Sequence, residues 1–149
     1  MKAKYKHTNI IARDWKGLAK FYQDVFGCVL VPPERHLSGA WLTRGTGVTG
    51  ARFSGAQFRL PGHGEEGPTL EIYQYSRNEP RPETAANREG LGHLAFEVDD
   101  VEQAMSEVLE HGGSKVGDVT SSGVDGVGLL TFVYVADPEG NVIELQSWR

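Results

Sequence analysis

The chain has 149 residues, 39% of them hydrophobic and 23% charged, with a formal net charge of -5; this is the balance of a globular domain with a core, not of a disordered or membrane-embedded chain. No apolar run approaches the roughly 20 residues that cross a bilayer, and the opening MKAKYKHTNIIARD lacks the apolar stretch of a secretory signal. The acidic balance offers no basic patch for phosphates and argues against nucleic acid, while a single cysteine, Cys28, excludes an internal disulfide framework and suits a reducing, cytoplasmic location.

The first predicted element is the strand HTNII from His7. Asp14 then caps an amphipathic helix in which Trp15, Leu18, Ala19, Tyr22, Val25 and Phe26 share one face, and Gly27 supplies the left-handed stop. Cys28, just beyond, reads as a small buried hydrophobe. Three strands are expected next, AWLTRG, ARFSGAQFRL and TLEIYQY, with PGHGEEGP as the turn before the last. His36 and His63 fall in glycine- or proline-flanked loops. Arg44, Arg52 and Arg59 read as solvated strand positions, with anion contact as the alternative.

Residues 76–89, SRNEPRPETAANRE, are polar and aperiodic and mark a linker. A buried strand containing HLAFEV follows, then a second helix capped by Asp100, with Val101, Ala104, Met105, Val108 and Leu109 inward and Gly112 or Gly113 as its stop. His111 ends that helix, where a cation favours the dipole. SKVGDV, LLTFVYVAD and NVIELQSW complete the chain as strands, with DPEG as a tight turn.

The two halves repeat. HTNIIARDWKGLAKFYQDVFG aligns without a gap to HLAFEVDDVEQAMSEVLEHGG at an offset of 86 residues, matching His7 to His93 and Asp14 to Asp100. The last strands correspond too, setting Glu71 opposite Glu144. From histidine to glutamate the first half takes 64 residues and the second 51, so an insertion is expected around residues 34–66. Each half is a βαβββ module.

Strand alternation puts His7, Asn9 and Ile11 on one face and Glu71, Tyr73 and Tyr75 on one face. His93, Ala95 and Glu97 form such a set in the second half, as do Val142, Glu144, Gln146 and Trp148. A glutamate between Leu70 and Ile72, or between Ile143 and Leu145, is costly to bury unless paired, protonated or bound to a cation. For any of the four residues alone, a hydrogen-bonded histidine or a surface glutamate is the simpler account. Two histidines and two glutamates at matching places in a repeat point instead to a shared divalent ion, of the kind of Zn, Ni, Co, Mn or Fe(II). The glycines show no phosphate-binding pattern.

These motifs, with DPEGNVIEL, resemble the vicinal oxygen chelate superfamily over residues 5–148; its members include glyoxalase I, methylmalonyl-CoA epimerase, extradiol dioxygenases, fosfomycin-resistance enzymes and bleomycin-binding proteins. The resemblance implies an α+β fold, in which two tandem βαβββ modules form a rolled mixed sheet around a metal-binding cavity. One domain over 1–149 is expected, with module one at 4–75, the linker at 76–89 and module two at 90–149. The set His7, Glu71, His93 and Glu144 is similar to the glyoxalase I metal ligands. It implies a lyase or isomerase that transfers a proton next to a chelated carbonyl of a small substrate, with Glu144 or Glu71 as the base and Glu144 preferred. An extradiol-type dioxygenase and a non-catalytic drug-binding protein are the alternatives. Bacterial glyoxalase I enzymes carry an arginine where Ile11 stands and an asparagine where Tyr75 stands, so contacts that hold glutathione are missing. Asn9, Tyr73, Tyr75 and Trp148 are the expected substrate-lining residues, and Trp41 is a further aromatic candidate. A homodimer is expected, with modules pairing within one chain or between two.

Overall fold

Asp14, three residues past the end of the first strand, starts the first helix. Its extended backbone leaves its carboxylate free to accept from the amides of Lys16 and Gly17, which have no partner within the helix. The computed structural model describes all 149 residues. In chain order its elements are β1 (His7–Ile11), α1 (Trp15–Phe26), β2 (Val29–Ser38), α2 (Ala40–Thr46), β3 (Arg52–Arg59), β4 (Thr69–Tyr75), β5 (Leu94–Glu97), α3 (Val101–Glu110), β6 (Ser114–Lys115), β7 (Thr120–Val124), β8 (Gly128–Ala136) and β9 (Val142–Trp148). They form two compact units, Met1–Pro80 and Arg81–Arg149.

The first unit is a sheet in the order β1-β4-β3-β2, parallel between β1 and β4 and antiparallel elsewhere. α1 packs on β3 and β4. Leu18 and Tyr22 of the helix and Phe58, Leu70 and Ile72 of the strands are almost fully buried. Phe21, absent from the helix face expected above, is buried as well and meets Tyr22 edge-on. Gly27 closes the helix at φ 67°, a conformation in which most side chains are strained.

Two expectations for this unit are corrected. AWLTRG is no strand: residues 40–46 are α2, between Gly39 at φ 113° and Gly47 at φ 72°. Leu42 alone of this helix is buried, so a single inward anchor underlies it, too little for a period to be legible. The strand that follows α1 is instead β2, which contains Pro32, Pro33 and also His36. Prolines lack the ladder donor, and β2 tolerates them because it is the edge strand, with its register broken between Val31 and Arg35. His36 is thus on a strand rather than in a loop, its Nδ1 2.8 Å from Ser54 Oγ.

The second unit repeats the plan. β5, β9 and β8 lie in that order, parallel between β5 and β9, with β6 and β7 both pairing β8. β6 and β7 together take the place that the single broken β2 has in the first unit; SKVGDV is a strand only at Ser114 and Lys115. α3 packs on β8 and β9, where Val133, Val135, Ile143 and Leu145 are buried with Val101 and Val108. Leu109, expected inward, is exposed, because it falls beyond the buried stripe of the helix. Asp100 caps α3 through the Gln103 amide, and Gly112 rather than Gly113 is left-handed, at φ 88°. The DPEG turn is held by Asp137, whose backbone oxygen accepts from the Gly140 amide at 2.9 Å. Each unit is a βαβββ-type module on a mixed sheet, and no helix is long and apolar enough to cross a membrane.

Candidate functional site

In the parallel ladder of each unit, the residue two places after the histidine is the partner of the glutamate: Asn9 of Glu71, and Ala95 of Glu144. Side chains two apart on a strand share a face. The register therefore turns each histidine toward a glutamate on the neighbouring strand. His7 Nε2 lies 3.4 Å from Glu71 Oε2, and His93 Nε2 lies 3.0 Å from Glu144 Oε2. His93 itself immediately precedes β5 rather than lying within it.

Around Glu71 the structure adds residues that sequence reasoning did not single out. Glu71 Oε1 accepts from Gln57 Nε2 at 2.5 Å and from the Tyr73 hydroxyl at 3.2 Å. Arg35 Nη1 is 3.9 Å from the same oxygen and donates to the Tyr73 hydroxyl at 3.2 Å, while Arg35 Nη2 donates to Gln57 Oε1 at 3.1 Å. Asn9 Nδ2 donates to Oε2 at 3.4 Å. Glu71 is thus 8% exposed yet amply partnered. Gln57 was accessible in principle, since it is the cross-strand partner of Glu71 in the β3–β4 hairpin. Arg35 was not, because the break in β2 shifts its pairing.

Burial, and then the Glu71 charge, push the Tyr73 hydroxyl above its ordinary pKa, against the pull of Arg35. Tyr73 is consequently a proton donor at neutral pH. Its ring stacks on Phe53 at 4.6 Å within a small core shared with Leu42 and Ala51. Of the aromatic residues expected to line a pocket, Tyr73 therefore presents only its hydroxyl to the site. Tyr75 lies partly buried, edge-on to Phe53 at 5.1 Å. Trp148, in the other unit, is 37% exposed and donates to Gln146 Oε1 at 3.1 Å. Trp41 is an exposed residue of α2. Arg44 belongs to α2 rather than to a strand, whereas Arg52 and Arg59 are residues of β3 as expected, Arg52 exposed and Arg59 facing the exposed Glu65 at 3.8 Å.

Glu144 has a simpler setting. Its one side-chain partner is His93, whose ring tilts against Tyr134 with centroids 5.0 Å apart. Tyr134 is the cross-strand neighbour of Glu144 on β8.

Imidazole nitrogen and carboxylate oxygen are donors of the kind a divalent ion takes. Two ligands of one ion with bonds of about 2.1 Å, roughly 90° to 110° apart, stand about 3.0 to 3.4 Å from each other; the two pairs have such separations. At Glu71 the hydrogen-bond donors Gln57 and Tyr73 occupy Oε1, leaving Oε2 turned to His7. The donors come in twos: no group of three or more His, Cys, Asp or Glu side chains able to hold a metal occurs in the chain.

Cys28 is buried, and burial pushes its thiol up to about 11, so it takes no part in this chemistry.

Comparison with known proteins agrees with this architecture. The chain is similar to a glyoxalase family protein from Bacillus cereus, at 18% identity and a TM-score of 0.74 over 99% of this chain and 94% of that one. A fosfomycin resistance protein from Listeria monocytogenes aligns at 17% identity and a TM-score of 0.64, over 100% and 94% of the chains. A glyoxylase/bleomycin resistance protein/dioxygenase domain from Frankia sp. aligns at 16% and 0.62 over the full length of both. At these identities the likeness concerns the fold. The sequence matches no curated protein significantly. The family model for the glyoxalase/bleomycin resistance protein/dioxygenase superfamily matches residues 4–145. With two βαβββ modules that each set a histidine beside a glutamate, the chain belongs to that superfamily.

Proposed function

We propose that the protein is a metal-dependent, glyoxalase I-like lyase or isomerase that moves a proton between carbons next to a carbonyl of a small substrate. The observation that supports this most is the equivalent histidine–glutamate pair in each module, at 3.4 Å and 3.0 Å. His7, Glu71, His93 and Glu144 would hold one divalent ion, with modules pairing in a homodimer or within one chain. When bound, the ion supplies Lewis acidity toward adjacent substrate oxygens, which lowers the demand on the base.

The chain's own residues divide the remaining work. Glu71 is fixed by Gln57, Tyr73 and Asn9, with the Arg35 guanidinium nearby, and its role is to stay in place. Glu144, with only His93 as a side-chain partner, is free to swing, to accept a proton at the carbon beside the carbonyl and to return it to the neighbouring carbon. This difference supports Glu144 as the base over Glu71.

The test is metal content of the purified protein and of His7→Ala and Glu144→Ala, by elemental mass spectrometry, alongside turnover of 2-oxoaldehyde thiohemiacetals. Stoichiometric metal in the parent, lost in both variants, is expected; unchanged stoichiometry in both sinks the reading. Ferrous iron with oxygen consumption on catechols would transfer the chain to the dioxygenases. A non-catalytic binding role draws its support from the donors occurring only in twos; metal-free parent protein that binds an aromatic ligand without turnover would establish it.

A further inference from the structure

The groups that hold Glu71 are themselves held, and one residue of the edge strand holds them. Gln57 Nε2 and the Tyr73 hydroxyl both donate to Glu71 Oε1. A side-chain amide can turn over and a hydroxyl can rotate, so neither bond is fixed by Gln57 or Tyr73 alone. Arg35 fixes both. Its Nη2 donates to Gln57 Oε1 at 3.1 Å and its Nη1 to the Tyr73 oxygen at 3.2 Å. A guanidinium carries donors and no acceptor, so it meets the Gln57 side chain only at its oxygen and leaves the NH2 for Glu71. It likewise occupies a lone pair of the Tyr73 oxygen and leaves the hydroxyl hydrogen for the same carboxylate. Arg35 Nη1 stands 3.9 Å from Glu71 Oε1, beyond a hydrogen bond, so these two side chains are the route by which Arg35 orients the carboxylate.

The strands bring these residues together across a glycine. Arg35 on β2 and Tyr73 on β4 are both cross-strand partners of Gly55, on the strand between them. Directly opposed residues share a face of the sheet. With no side chain on Gly55 the two meet above it; a Cβ there would stand 2.3 Å from Tyr73 Cδ1. Farther along β3, on the same face, Gln57 opposes Glu71. The second unit has no such frame: the places of Gln57, Gly55 and Tyr73 are taken around Glu144 by Tyr134, Phe132 and Gln146.

From this geometry we infer that Arg35 is a positioning residue. By turning Gln57 and Tyr73 onto Oε1, it leaves Oε2 as the one oxygen that Glu71 presents beside His7, where Asn9 reaches it only at 3.4 Å. Glu71 is thereby a one-oxygen ligand, a restriction that nothing imposes on Glu144. The inference rests on the proposed reading only for the ion that Oε2 and His7 would share. The fork matters as well as the charge, since lysine has a single nitrogen in place of the two that span Gln57 and Tyr73.

The experiment reads the Gln57 side-chain amide of metal-free protein by nitrogen–proton correlation NMR, the signals being assigned by their loss in Gln57→Leu. In the parent the bonded amide proton is expected well downfield of free glutamine. Arg35→Gln and Arg35→Lys should each return it toward the free position, while Arg59→Gln, outside the network, leaves it in place. Should Arg35→Gln lose the dispersion of a folded protein, Arg35→Lys decides. Calorimetric titration with Co(II) reads the consequence: Arg35→Gln should weaken binding at least about tenfold, and less than about twofold when made in Gln57→Leu/Tyr73→Phe protein, where nothing is left for Arg35 to act through. An amide proton that stays shifted without Arg35, or an equal loss of Co(II) affinity in both backgrounds, overturns the inference. Parent protein that binds no Co(II) fails the metal reading alone, and the amide shift then decides the role of Arg35.

Discussion

Gln57 Nε2 donates to Glu71 Oε1 across 2.5 Å, from the residue directly opposite on the neighbouring strand. This bond is the shortest that the buried carboxylate makes. Replacing Gln57 by Leu removes a donor and leaves Glu71 with fewer partners where water is scarce. Chemical denaturation of metal-free protein should show a loss of about 1 to 3 kcal/mol. Gln57→Glu should cost more, because it sets two carboxylates against each other; a neutral result for both would mean that Arg35 and Tyr73 suffice.

Asp137 carries the turn between β8 and β9. It is 2% exposed, and its Oδ1 accepts from the amides of Glu139 and Asn141 at 2.9 Å each, while Oδ2 accepts from Asn141 Nδ2 at 2.7 Å. Asp137→Ala orphans two backbone donors and should cost about 2 to 3 kcal/mol. Asp137→Asn, which keeps one acceptor, should cost less. Thermal unfolding ranks the two.

Gly55 lies beneath the Tyr73 ring. A Cβ there would stand 2.1 Å from the Ile72 carbonyl oxygen and 2.3 Å from Tyr73 Cδ1. The first contact is with backbone and cannot yield by rotating a side chain. Gly55→Ala should therefore push β3 and β4 apart, lowering stability by about 3 kcal/mol and weakening the near-ultraviolet dichroism of Tyr73 and Phe53. Gly45→Ala, which meets nothing within 4 Å, serves as the control.

For Cys28 the folded state holds the thiol protonated to about 11, against 9.0 for a free one. Between these values the unfolded chain has lost its proton while the folded chain keeps it, so this group's contribution falls as pH rises from about 9 to about 11. A Cys28→Ser variant should lose that slope. At pH 8 the native thiol should react with an aromatic disulfide reagent at least about 100-fold more slowly than the unfolded chain.

Much of this protein was legible as repetition. The 86-residue offset aligned Asp14 with Asp100 and His7 with His93, and both aspartates cap helices because short carboxylates satisfy free amides at a helix start whatever the tertiary context. Alternation along β1 and β4 placed His7, Asn9 and Glu71 on shared faces, since a strand's period of two is a local property. α2 was beyond such reasoning: its one buried residue, Leu42, is inward only because Phe53 and Tyr73 lie beneath it. Arg35 meets Tyr73 and Glu71 only after the edge strand breaks register around two prolines. Capping and alternation depend on neighbours a few positions away and are written in the chain; the partners of Glu71 depend on pairing between distant strands, which burial and hydrogen bonding settle together only in the folded molecule.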